Sequence, residues 1–275
     1  MIVIMRIIDC FNYFDEDKIL DLRLNILNNY VDQFVIVEAK EDHQGNKKKL
    51  NFKIKNFQKF ARKINYIVQE KIEIDKNLVI KKNWAKDHLR DQSQRNYIAN
   101  GIKDANDEDW VIISDIDEIP NPINIHLFNP KNKFAFFKQK FFYYKFNLLN
   151  KTTPFWFGSR ICVKKYLKSP QWLRSFKLKK KKFLNKLGLF NYQIINNGGW
   201  HFSFIKTPEQ IVKKIEAFAH SEFNINEFKD KKKIVKKIKN NEDLFDRNIF
   251  YKKINLDKSF PDYLVKNKDL YKKWI

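Results

Sequence analysis

The stretch that most constrains this chain is residues 110–120, Trp-Val-Ile-Ile-Ser-Asp-Ile-Asp-Glu-Ile-Pro. Trp110 to Ile113 is a continuous apolar run, as a strand buried on both faces requires. The run stops in a cluster of carboxylates, Asp115, Asp117 and Glu118. In an extended chain Asp115 and Asp117 face one side and Ile116 the other. Pro120 has no amide hydrogen to give to a ladder, so the strand ends by that point. Paired carboxylates at the carboxyl end of a buried strand suit a hard divalent cation, which takes oxygen ligands and shares them with substrate phosphates. The competing explanation is an acidic turn that merely closes the strand.

The sequence before this stretch builds strands aimed the same way. Residues 6–10 read as a first strand, and Ile19, Leu20, Leu22, Leu24, Ile26 and Leu27 give a helix with a broad apolar stripe. Residues 31–38 form a second buried strand ending in Glu38, and a polar loop over 39–49 follows. Strand, helix and strand in about forty residues make a βαβ unit, with parallel strands and a right-handed crossover. A short helix over 52–62, a strand over 63–68 and a long helix over 84–105 lead into the acidic strand. The expected fold class is therefore α/β, an open and mostly parallel sheet flanked by helices. Ligands bind such sheets outside the carboxyl ends of the strands, where Asp9, Glu38, Asp115 and Asp117 are all expected.

Later the pattern changes. Residues 134–146 are dense in aromatics and Lys, which predicts long antiparallel strands, and 155–163 predicts another. Residues 173–187 contain the Lys179–Lys182 run, a solvated face or a contact for anionic membrane. Residues 196–204 place Gly198 and Gly199 directly before Trp200 and His201, a backbone suited to close approach. Thr207-Pro208-Glu209-Gln210 is a helix start with N-cap, Pro at the first position and a capping-box Gln. Residues 211–220, 229–239 and 262–274 read as helices. The expected organisation is a catalytic domain over 1–205, with 206–275 a helical extension packed on it.

Composition removes several classes. Two cysteines cannot form a disulfide framework, which points to a reducing compartment. Residues 1–8 are too short for a signal-peptide core, and no apolar run reaches spanning length. The expectation is a cytoplasmic protein, peripheral at the membrane if the basic run engages lipid. A net charge of +23 invites a nucleic-acid reading, but the Lys excess is scattered among Asn and Ile. A general composition bias therefore ranks ahead of a nucleic-acid surface.

Several blocks together resemble glycosyltransferase family 17: Asp9-Cys10-Phe11-Asn12, residues 31–38, Leu89-Arg90-Asp91-Gln92, residues 113–120, residues 199–204 and Tyr263-Leu264-Val265-Lys266-Asn267. The Asp-x-Asp-Glu-Ile-Pro and Gly-Trp-His blocks are the specific ones. The resemblance implies a GT-A-type nucleotide-sugar fold and an inverting transferase. Its donor would be a UDP-sugar, by analogy UDP-N-acetylglucosamine, and its acceptor a glycan or lipid-linked sugar. The implied cofactor is a divalent metal, Mn2+ or Mg2+, held by Asp117 with Asp115 and His201. Nucleotide-sugar contacts are expected from Asp115, Glu38, Arg90, Gln92, Arg95 and Trp200, with Arg160 a further candidate. Inversion requires a carboxylate base, and Glu118 is the candidate because it adjoins the metal pair. The rival functions are a metal-dependent nucleotidyltransferase and a non-enzymatic basic protein that binds nucleic acid.

Overall fold

Alternating strand and helix organise the first half, as the apolar runs require. A computed structural model describes residues 5–74, 86–178 and 192–275. In it β1 (Ile7–Asn12), α1 (Asp17–Leu27), β2 (Gln33–Ala39), β3 (Ile64–Gln69), α2 (Lys86–Tyr97) and β4 (Trp110–Asp115) succeed one another. β1 pairs in parallel with β2 and β4, and β2 in parallel with β3. The predicted parallel sheet is thus present, in the order β3-β2-β1-β4.

Strand alternation divides the core into two layers. Phe34, Ile36 and Ile112 face α1 and pack with Leu20, Leu24 and Leu27. Val35, Val37, Val111 and Ile113 face the other way and pack with Ile98 and Ile102. Those two isoleucines belong to a 3-10 turn, Ile98–Ile102, so the helix predicted over 84–105 is α-helical only to Tyr97. The helix predicted over 52–62 is likewise a 3-10 run, Ile54–Lys63, broken at Phe57, where two aromatic anchors (Phe57 and Phe60) matter more than a regular turn.

The second half widens the sheet. β5 (Glu118–Pro120), α3 (Pro122–Ile125), β6 (Phe134–Tyr143), β7 (Leu148–Asn150), β8 (Phe155–Trp156), β9 (Arg160–Val163), α4 (Pro170–Ser175) and β10 (Tyr192–Ser203) follow. β6 is antiparallel to β7, β8 and β9, and β9 is antiparallel to β4. The single strand predicted over 155–163 is interrupted at residues 157–159. The interruption lets Gly158 lie against the Glu118 side chain, as described below. β10 runs between β5 and β6, with a register shift between Ile195 and Gly199. A Cβ on Gly199, whose φ is +126°, would sit 2.1 Å from the Ile119 carbonyl oxygen. The glycine is therefore required for β10 to close on β5.

The chain ends with α5 (Pro208–Ala217), α6 (Asn226–Lys229), α7 (Lys231–Asn240), β11 (Tyr251–Lys253), α8 (Asp262–Lys266) and a 3-10 run, Lys268–Trp274. The predicted capping box at Thr207 and Gln210 starts α5. The C-terminal segment is not only helical, because β11 pairs antiparallel with β7 and extends the sheet. The Lys179–Lys182 run lies outside the described residues. Among those described, no helix is long and apolar enough to cross a membrane.

One charged group sits inside the α1 layer. Arg23, on the buried face of α1, is fully enclosed and forks onto Asp9 of β1 through Nε and Nη2, at 2.7 and 2.6 Å. Its Nη1 donates to the carbonyls of Asp115, Ile116 and Glu118 at 3.1, 3.1 and 2.8 Å. Asp9 was expected at a strand end facing ligand; instead it lies within β1 as the counter-ion of Arg23. Replacing Arg23 by Ala strands the Asp9 carboxylate and three carbonyls, and should cost about 3–5 kcal/mol of stability in a denaturant titration.

Candidate active site

The carboxyl ends of the parallel strands open onto a cleft of about 410 Å³. Parallel register puts Asn12 at the end of β1 beside Asp115 at the end of β4, and both line the cleft. After Asp115 the chain turns through Ile116 and Asp117 and re-enters the sheet as β5. Antiparallel register sets Glu118 opposite His201, and the Phe202 amide donates to the Asp117 carbonyl at 2.8 Å. This pairing brings two residues far apart in sequence together: His201 Nε2 lies 3.6 Å from Asp117 Oδ1. Lys214 of α5 approaches the other oxygen of Asp117 at 3.8 Å. Burial disfavours ionising Asp117, but His201 and Lys214 outweigh it and hold its pKa below the usual carboxylate range.

Asp115 is held differently. Arg95 of α2 donates to one oxygen at 3.1 Å and Arg174 of α4 to the other at 2.8 Å. Burial raises its pKa and the Arg174 and Arg95 guanidiniums lower it, leaving it far below the ordinary range. The carboxylate is nevertheless 42% exposed on its cleft side, so it keeps a face for ligand.

Glu118, the base expected from sequence, is 1% exposed. One oxygen accepts from Trp156 Nε1 at 2.6 Å and Arg174 at 3.1 Å, and the other from the Asp115 amide at 2.9 Å. A Cβ on Gly158 would lie 2.1 Å from its carboxyl carbon. Both oxygens are engaged and the side chain is enclosed, so this carboxylate ties the Asp115 amide, Trp156 and Arg174 together.

Other expected contacts separate in space. Arg95 lines the cleft and is braced by Asp91 and Gln171, whereas Gln92 is buried outside it. Arg90 lies under the loop over 41–47, its Nη1 3.5 Å from the His43 carbonyl. Glu38 is fully buried and does not reach the cleft: Lys48, Tyr66 and the amides of Asn51 and Phe52 occupy its oxygens at 2.7–3.0 Å. These contacts fix the loop that carries Lys48. Arg160 is buried over the Phe136 ring and donates to the Leu173 carbonyl at 2.6 Å. Burial and the nearby Arg174 push its pKa down to about 9. Trp200 points away from the cleft and donates to the Ser259 carbonyl at 2.9 Å. The aromatic at the site is Trp156, 42% exposed, beside a stacked pair of Phe141 and His201 with ring centres 4.6 Å apart.

Sequence reasoning missed Arg174, Trp156 and Lys214. Trp156 could have been found from alternation, since Phe155 and Trp156 must face opposite sides of a strand. Arg174 and Lys214 reach the site only through tertiary packing.

The donor set fits a divalent cation in part. Asp117 and His201 offer adjacent oxygen and nitrogen ligands, and His201 Nδ1 is buried without a protein partner. Asp115 has both oxygens committed to guanidiniums, which leaves it an outer position.

An open α/β sheet binds its ligands outside the carboxyl ends of its strands, and here carboxylates and cations gather at that edge. The model of glycosyltransferase family 17 matches residues 3–272, essentially the whole chain, so the protein belongs to that family and is a glycosyltransferase. No curated protein matches the chain.

The Asp115 ion pairs have a defined pH dependence. Because its folded pKa is depressed, their stabilisation is complete above the unfolded value near 4 and lost as pH falls through the folded value. The stability difference between wild type and Asp115→Asn should be constant from about pH 7 to 5 and shrink below about pH 4. Acid-dependent denaturation measures it. Gly158→Ala, which pushes a methyl into the Glu118 carboxyl, should cost about 1–3 kcal/mol in thermal unfolding.

Proposed function

We propose that the protein transfers a sugar, N-acetylglucosamine by family analogy, from a UDP-sugar to a glycan or lipid-linked acceptor with inversion, on a GT-A-type sheet. The observation that carries this reading is the Asp117–His201 pair, 3.6 Å apart at the strand-end cleft, with Lys214 beside it. A bound Mn2+ or Mg2+ would act as a Lewis acid for the departing diphosphate, with Asp117 and His201 as its protein ligands and substrate oxygens completing the shell. Asp115, immobilised by Arg95 and Arg174, offers its exposed side to the ribose or to metal-bound water. Lys214 adds positive charge where the leaving diphosphate gathers negative charge.

Trp156 is a better sugar platform than Trp200, because its ring borders the cleft and its indole nitrogen is fixed by Glu118. Glu118 then positions: its carboxylate joins the Asp115 amide, Trp156 and Arg174 into one wall. The acceptor proton must go to another group at the mouth of the cleft.

The test is incubation of purified protein with UDP-N-acetylglucosamine and Mn2+, reading UDP release and transfer to oligosaccharide acceptors. Release of UDP supports the reading, whereas pyrophosphate release favours a nucleotidyltransferase. Asp117→Asn should lower UDP release by about 100-fold or more with an unchanged circular-dichroism spectrum. Retained turnover in that variant would remove Asp117 from the mechanism.

A further inference from the structure

A second group of metal-ligating side chains stands at the rim of the cleft, outside the carboxylate pair. His88 lies in the first turn of α2, and His220 and Glu222 lie just beyond α5. One ligand atom from each falls within 4.8 Å of the other two. His220 Nδ1 is 2.9 Å from Glu222 Oε1, and the two imidazole rings meet edge to face with centres 5.0 Å apart. We propose that His88, His220 and Glu222 form a binding site for a borderline divalent cation, zinc being the best match, that clamps the cleft rim to α2.

The chemistry of the donors selects the ion. Two imidazoles and one carboxylate suit zinc, which accepts three protein ligands and leaves a fourth position for water. Mg2+ and Ca2+ prefer all-oxygen shells and are poorly served here. His220 and Glu222 are about half exposed, at 51% and 55%, so solvent can supply the remaining ligand.

The three ligands come from two segments that the fold already holds in register. Asp87, adjacent to His88, accepts from the Ser221 amide at 3.1 Å, between the other two ligands in sequence. The loop over 41–47 grips the same rim: the His43 amide donates to the Ala217 carbonyl at 3.1 Å, and Gln44 Nε2 to the Phe218 carbonyl at 2.8 Å. Drawing three ligand atoms onto one ion therefore needs side-chain movement rather than a new arrangement of backbone. Ala219, His220 and Phe223 also line the cleft, so an ion here would fix a wall of the substrate site without taking part in the chemistry.

The test keeps this site separate from the Asp117 pair. Zn2+ is titrated calorimetrically into the full chain carrying Asp117→Asn, and into that chain with His88→Ala or Glu222→Gln added. One equivalent should bind to Asp117→Asn, with affinity reduced at least about tenfold by either further change. Glu222 is exposed, so Glu222→Gln decides the matter if His88→Ala fails to fold. Absence of Zn2+ binding in Asp117→Asn, or binding unaffected by Glu222→Gln, overturns the proposal. Neither result depends on which sugar the enzyme transfers.

Discussion

The site depends on one buried guanidinium. Where β4 ends, the carbonyls of Asp115, Ile116 and Glu118 leave the sheet, and each buried carbonyl without a partner would be costly. Arg23 Nη1 shares its two hydrogens among all three carbonyls, while Nε and Nη2 are held by Asp9. The guanidinium also lies over the Phe11 ring, 4.5 Å from its centre, which fixes its plane. This arrangement turns the chain sharply enough for β5 to begin at Glu118. A buried ion pair is seldom the most stable way to fill a core. Here it sets the path of the acidic loop, which an apolar side chain could not do because it has no donors.

From that turn the order of the remaining parts follows. β5 pairs with β10 in a register that puts His201 opposite Glu118, so Asp117 must lie next to the imidazole. Glu118, pointing inward, collects the Asp115 amide, Trp156 and Arg174 on its two oxygens. Neighbouring carboxylates thus acquire different tasks from their surroundings alone. Glu118 is enclosed and structural, Asp115 is clamped but open on one side, and Asp117 faces a histidine and a lysine across longer gaps. The longer gaps around Asp117 leave room for an ion or phosphate oxygen, which the two tight ion pairs of Asp115 do not.

Much of this was legible in the sequence, for reasons that are local. Continuous apolar runs identify β1, β2 and β4 as buried parallel strands, and the abrupt carboxylates identify the edge where ligand would enter. Gly198 and Gly199 mark a close approach, which the contact of Gly199 with Ile119 bears out. The fate of a strand-end acid was not legible. Glu38 and Asp9 have the same chemistry as Asp117, but Lys48 and Arg23 reach them first, and those partners are set by packing across other elements. Arg23 did leave a trace: it shares a helix face with Leu20 and Leu27, where an arginine must find a buried acceptor.

Strand alternation decides the aromatic contacts. Trp200 and His201 are consecutive in β10, as Phe155 and Trp156 are in β8, so each pair must divide between the two faces of the sheet. The register partners agree: Lys140 stands beside both Trp200 and Phe155, while Phe141 stands beside His201. Once His201 is placed next to Asp117, Trp200 is committed to the opposite face, where the Ser259 carbonyl receives its indole hydrogen. Trp156, on the His201 face, borders the cleft instead. A Gly-Trp-His sequence therefore contributes its histidine to the cleft and its tryptophan to the support behind it, and exchanging those duties would require shifting β10 by one residue against both of its neighbours.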